Sequence, residues 1–235
     1  MKDPIGQAIL DRWTTGQAEM IRVDSNYTEG EEIDPEWFFR TPEEMPPLEI
    51  KALELCRGRI LDVGAGAGCH ALELQKAGFA ITAVEQSESS VRVMRERGVS
   101  RVVCADILQF YEIGWDTILL LMNGSGIAGS LDGLRKLLRH LKTLLKPTGQ
   151  ILLDSSDIHY LFEEEDGSVW IDLARDEYYG EMSYEVSYKG VKSDPFPWLF
   201  IDYDLLSDIA RESGFQCELA AEGENDDYLA RLTLA

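Results

Sequence analysis

The chain has 235 residues, 45% of them hydrophobic and 28% charged, which excludes a disordered chain and suffices for one well-buried core. Asp and Glu outnumber Lys and Arg by 43 to 22, a formal net charge of −21. A surface that negative repels phosphate backbones and anionic lipid headgroups, so neither nucleic acid nor a membrane surface is an expected partner.

Residues 1–47 carry Trp13, Trp37, Phe38 and Phe39 among acidic runs and the prolines Pro35, Pro42, Pro46 and Pro47. This composition predicts short helices and turns without an independent core, a helical lid segment ahead of a main domain over 48–235. No basic head followed by an apolar run marks a signal peptide, and no apolar stretch is long enough for a bilayer, so a cytoplasmic location is expected. Cys56, Cys69, Cys104 and Cys217 are scattered and only three histidines occur. Free thiols in a reducing compartment, and no metal site, follow from that.

From Leu48 onward, strand-length apolar runs alternate with helical patterns, as in parallel strands joined by crossover helices. Strands are predicted at 59–63, 80–84, 102–104, 115–121 and 150–154. Between them, a helix over 69–77 is stopped by Gly78, and another is capped by Ser87 and ended by Gly98. Leu131, Leu134, Leu138, Leu141 and Leu145 recur at helical spacing before Pro147 and Gly149. The alternation then breaks. Residues 177–190 read as an extended aromatic arm, part of an insertion at about 165–200. A helix over 203–213 and strands at 215–221 and 228–234 close the chain.

The chemistry lies in the first strand–loop–helix, Ile60-Leu-Asp-Val-Gly-Ala-Gly-Ala-Gly68. Alternate glycines let the backbone turn sharply and let a ligand lie against it. Asp62, at the strand's end, suits a cationic group and would repel a phosphate. A dinucleotide loop would set its third glycine two residues after the second, yet here Gly68 follows Gly66 after one. The acidic Glu85, about 20 positions on, keeps an NAD(P)-dependent oxidoreductase as an alternative.

Asp62-x-Gly64-x-Gly66-x-Gly68 resembles motif I of the class I S-adenosylmethionine-dependent methyltransferases, and the similarity runs through about residues 49–155. The resemblance implies a Rossmann-like α/β fold: a mostly parallel seven-stranded sheet with an antiparallel edge strand, helices on both faces and an added β arm. It implies S-adenosyl-L-methionine as cofactor. In that family the acid at Asp62 lies near the amino-acid end of the cofactor, with Gly64, Ala65, Gly66 and Gly68 packed against it. Glu85, beside Gln86, matches the residue for the two ribose hydroxyls, since a carboxylate accepts two hydrogen bonds at once. Asp106, between Ala105 and Ile107, matches the residue that receives the adenine amino group. Met122 and Asn123 sit where the family places acceptor and catalytic contacts. The stretch Asn123-Gly-Ser-Gly126 departs from the (Asp/Asn)-Pro-Pro-(Tyr/Phe) signature of enzymes acting on planar amide or adenine nitrogens. A small-molecule acceptor is therefore expected.

Asn123 and His159 are the candidate catalytic residues, His159 as a general base after the fifth strand. His70 could approach the cofactor's tail or be a helix residue with a satisfied hydrogen bond; Trp37, Phe38 and Phe39 could form a lid, with Arg40 on the cofactor's carboxylate, or pack the core of the N-terminal segment. Tyr178, Tyr179, Tyr184, Tyr188 and Trp198 could line an acceptor pocket or form cross-strand pairs. A module that binds the cofactor without turning it over is the alternative from another class. Neither the methylated atom nor the oligomeric state is legible.

Overall fold

The computed structural model describes residues 2–162 and 178–235. The helices are α1 (Pro4–Thr15), α2 (Pro47–Leu55), α3 (Cys69–Lys76), α4 (Glu88–Arg97), α5 (Leu131–Leu144) and α6 (Tyr203–Glu212). The strands are β1 (Ile21–Ser25), β2 (Glu31–Ile33), β3 (Arg59–Val63), β4 (Ala80–Glu85), β5 (Val102–Cys104) and β6 (Trp115–Leu120). They continue with β7 (Leu145–Ser156), β8 (Glu181–Tyr188), β9 (Val191–Lys192), β10 (Phe196–Leu199), β11 (Phe215–Glu222) and β12 (Asp227–Leu234).

Seven strands form the main sheet in the order β11-β12-β7-β6-β3-β4-β5. Strands β5, β4, β3, β6 and β7 are parallel, and β12 runs antiparallel to both β7 and β11. The antiparallel strand expected at the edge thus lies one place in from it. The terminal hairpin accounts for this, because the last strand folds back between β11 and β7.

Both faces are covered, which is why the central strands read as unbroken apolar runs. On one face Leu61, Val63, Ile118, Leu120, Ile151 and Leu153 pack under Leu134, Leu138 and Leu141 of α5 and Leu206 and Ile209 of α6. The alternate residues Ile60, Leu119 and Leu152 face α2, α3 and α4 through Ala52, Ala71 and Met94. Several helix ends follow the sequence signals. Ser87 accepts from Ser90 N–H to cap α4, and Gly98 ends that helix in the left-handed region. Among the described residues no helix is long and apolar enough to cross a membrane.

The N-terminal segment departs from its expected character. Residues 4–15 are helical and 35–39 and 42–44 are 3-10 turns, but 21–25 and 31–33 are strands. They join β8 and β10 in a second, antiparallel sheet of order β10-β8-β1-β2, with β9 paired to β8. Ile21 and Val23 face a small core with Ala8, Val186 and Tyr188. Period-2 alternation over five residues is a weak signal, and the pairing partner of β1 lies some 160 residues on (Val23 opposite Val186), beyond local pattern. A boundary at 47/48 therefore cuts through one sheet. The extended arm expected over 177–190 supplies β8 of this sheet; the portion of the insertion at 165–177 lies outside the described residues.

Candidate functional site

After β3 the chain crosses to β4 and β5 on one side, and β6 then returns to the other side of β3. This reversal opens a crevice at the carboxyl ends of β3 and β6, the usual ligand position in open α/β sheets. A cleft lies there, lined by Phe38, Asp62, Gly64–Ala67, Cys69, His70, Leu121 and Met122.

The glycine turn is shaped by backbone demands. Gly64, Gly66 and Gly68 all have positive φ, at +71°, +55° and +82°, a region that costs residues with a Cβ. At Gly68 a Cβ would also lie 2.9 Å from Met94 Cγ, so the turn can approach α4 only without a side chain. Gly66 N–H donates to the Glu85 carboxylate at 3.0 Å, and Ser87 N–H donates to the same group at 2.9 Å. The acid at the end of β4 thus touches the turn after β3. Burial nevertheless pushes Glu85 above its ordinary value, against the backbone bonds.

Asp62 is 2% exposed, and its Oδ2 has no hydrogen-bond partner among the described residues. Burial is the main cause of its rise to about 6; nearby His70 opposes the rise and Glu85 adds to it. Buried polar atoms are normally satisfied, so an orphaned carboxylate oxygen in a cleft calls for an explanation.

Beside it runs a buried chain of charge. Arg40, 4% exposed, forks onto Glu49 with contacts at 2.5 Å, and Glu49 Oε2 lies 2.6 Å from His70 Nε2. Burial opposes ionisation of Glu49, but His70 and Arg40 outweigh it and hold the carboxyl below its usual range. Burial likewise disfavours a charged His70, yet Cys69, Glu49 and Asp62 push it well above its usual value. Arg40 is committed to Glu49 and to the Trp37 carbonyl, 2.6 Å away, and does not line the cleft. Phe38 does, with Cδ1 3.5 Å from where a Gly66 Cβ would sit.

Of the residues expected at the cofactor, Asp62, Gly64, Ala65, Gly66 and Met122 line the cleft, and Glu85 adjoins it through Gly66. Gly68 caps α3. Gln86, Ala105, Asp106 and Ile107 follow β4 and β5 at the same end of the sheet, where Ala105 N–H bonds the Glu85 carbonyl at 3.0 Å. Asp106 Oδ1 accepts from Leu108 N–H. Neither Asn123 nor His159 is among the described residues lining the cleft. The Asn123 amide donates to the Leu199 carbonyl and accepts from the Ser125 and Ser155 hydroxyls. His159 Nδ1 lies 3.3 Å from Asp157 Oδ2 without a hydrogen bond among the described residues; Asp157 accepts instead from the Tyr179 hydroxyl. The expected acceptor-side tyrosines are partly tied: Tyr178 donates to Asp202 and Tyr179 to Asp157. Ala67 within the glycine motif and Cys69 next to it line the cleft as well, as does Leu121 next to Met122. Asp154, at the end of the strand expected over 150–154, carries no signal in the sequence, yet it accepts from Met122 N–H at 3.0 Å and Gly124 N–H at 2.7 Å.

Comparison with known proteins agrees with this architecture. Residues 60–149 match the family model described as a methyltransferase domain. The chain is 46% identical to a solved S-adenosylmethionine-dependent methyltransferase from Bacteroides fragilis, in complex with S-adenosyl-L-homocysteine; the match covers 100% of this chain and 95% of that one, with a TM-score of 0.93. The CcbJ methyltransferase of Streptomyces caelestis shares the fold at 16% identity and TM-score 0.63, over 85% of this chain and 95% of that one. Over 66 residues, 27% of the chain, there is 41% identity to a 23S rRNA (uracil(747)-C(5))-methyltransferase of Pyrococcus abyssi, and the match spans 16% of that protein. On its similarity over the full length of the chain to a solved member, this chain belongs to the class I S-adenosylmethionine-dependent methyltransferases, with S-adenosyl-L-methionine as its methyl donor.

Proposed function

We propose that the enzyme transfers the methyl group to a small molecule rather than to nucleic acid, and that Asp62, Glu85 and Asp106 hold the donor. The observation that carries the cofactor reading is the orphaned Asp62 Oδ2 beside a turn of three left-handed glycines. An unpaired buried carboxylate fits the cationic amino group of the donor's methionine end, and an open glycine backbone fits a ligand lying flat against it. His70, held by Glu49, supplies a positive group at that end for the carboxylate. Glu85 receives two backbone bonds, and a carboxylate has about four acceptor positions, which leaves capacity for two ribose hydroxyls. Asp106 receives the adenine amino group, with Gln86, Ala105 and Ile107 around it. Gly64, Ala65, Gly66, Gly68 and Met122 supply the floor.

When bound, the donor brings a methyl group already activated on a sulfonium. The protein's own work is to hold an acceptor in line, to exclude water, and to take a proton where the acceptor carries one. Phe38 covers the glycine turn and contributes to the exclusion. His159, whose Nδ1 stands 3.3 Å from Asp157 Oδ2 beyond the carboxyl end of β7, is the candidate base; Asn123, with its amide engaged, is assigned to holding the loop. The net charge of −21 supports an acceptor that is not a polyanion. The reading also takes the enzyme to act in the cytoplasm, with the N-terminal segment as a cover over the cleft.

Labelled-methyl transfer tests this. Label in a fraction of small metabolites, and none in RNA, is expected. Label in RNA and none in small molecules would overturn the acceptor class while leaving the donor reading intact.

A further inference from the structure

We propose that Asp154 is a positioning residue for cofactor binding, holding in place a strained turn whose backbone floors the cleft. The inference rests on reading that cleft as the cofactor site. Leu121 and Met122 line it from the end of β6. Immediately there the chain takes two consecutive left-handed residues, Met122 at φ +67° and Asn123 at φ +55°. Asn tolerates that conformation, but an unbranched residue such as Met adopts it rarely, and such strain persists only where the surroundings over-determine it. Asp154 is the group that over-determines it: its two oxygens separately accept from Met122 N–H and Gly124 N–H, one on each side of Asn123. Charge-assisted bonds to backbone N–H groups are the strong kind.

The placement carries an energetic signature. Burial pushes Asp154 up to about 6 even though the loop's N–H groups pull it down. A carboxylate inside a strand thus carries a desolvation cost that an apolar residue would avoid, and the loop is what it serves. The same turn leads to the second sheet. Asn123 donates to the Leu199 carbonyl, and Ser125 bonds the Leu199 carbonyl and Ser155, whose hydroxyl accepts from Ile201 N–H. Asp154 therefore anchors the junction at which the cleft floor meets the arm.

The test is equilibrium binding of S-adenosylhomocysteine to the full chain by calorimetry, for wild type, Asp154→Asn, Met122→Gly and the double variant. An amide at 154 keeps the shape but accepts from only one of the two N–H groups, so Kd should rise about tenfold or more. The factor should shrink in the Met122→Gly background, because glycine adopts the left-handed region unaided. A merely structural role would lower Tm and leave Kd unchanged in folded protein. Equal Kd in wild type and folded Asp154→Asn, or the same loss in both backgrounds, overturns the inference. Wild type that ignores S-adenosylhomocysteine would instead overturn the cofactor reading itself. Should Asp154→Asn fail to fold, hydrogen exchange of wild type decides: slow exchange at the Met122 and Gly124 amides supports the clamp, and exchange at loop rates overturns it.

Discussion

Replacing Asp62 with Asn should stabilise the free protein at neutral pH while weakening its hold on the cofactor. Asp62 is 2% exposed, and burial raises it from 3.8 to about 6. A carboxyl whose native value exceeds its unfolded value favours folding only in its protonated form. The folded state then loses stability as pH rises from about 4 to about 6, and the full cost stands above that. A shift of this size corresponds to about 3 kcal/mol. An uncharged Asn escapes the cost but leaves its own amide imperfectly paired, worth about 1–3 kcal/mol, so a net gain of about 1 kcal/mol is expected at pH 8. For a chain of this length that is roughly 2–4 °C in Tm, shrinking and reversing by pH 4. The same change should raise Kd for S-adenosylhomocysteine about tenfold to a hundredfold through loss of a charged partner for the amino group. Thermal melts across pH 4–8, paired with calorimetry at pH 7.5, measure both. A variant less stable than wild type at pH 8 by as much as at pH 4, with unchanged affinity, would refute the reasoning.

Other expectations follow from the same geometry. Glu85→Gln should weaken S-adenosylhomocysteine binding about tenfold, since one acceptor oxygen becomes a donor beside Gly66 N–H; calorimetry on folded protein checks it, and unchanged affinity counts against the ribose assignment. Arg40→Met strips the buried Glu49 of its guanidinium and should cost about 3–5 kcal/mol, with part regained by adding Glu49→Gln; denaturant melts read both. At Gly126 a Cβ would stand 1.9 Å from Trp198 Cε2, so Gly126→Ala should displace that indole, shift tryptophan emission and cost about 1–3 kcal/mol. Unaltered emission and Tm would contradict the packing.

The main sheet was legible because its signals are local. Doubly covered strands such as 59–63 and 115–120 are continuous apolar runs, and the glycine turn, Ser87 and Gly98 mark where segments end. Glu85 and Asp106 became meaningful together, each at a strand's end. What stayed hidden depends on contacts far apart in sequence. Ile21–Ser25 is too short and too polar to announce a strand, and its partner 184–187 supplies the other half of the pattern. For Arg40 the sequence leaves a place on the cofactor's carboxylate and packing within the N-terminal segment equally open, because the ion pair that decides it is a tertiary contact; the structure gives it to Glu49, nine residues on. Nothing in a sequence tells a carboxylate that faces solvent from one that, like Asp154, holds a left-handed turn.

A crystal structure with S-adenosyl-L-homocysteine bound is the most direct test of the central claim. The account predicts the ligand between residues 64–70 and 121–122, with the amino group on Asp62, the ribose hydroxyls on Glu85 and the adenine amine on Asp106. A ligand seated elsewhere, or one in this cleft that touches none of those three carboxylates, would contradict it.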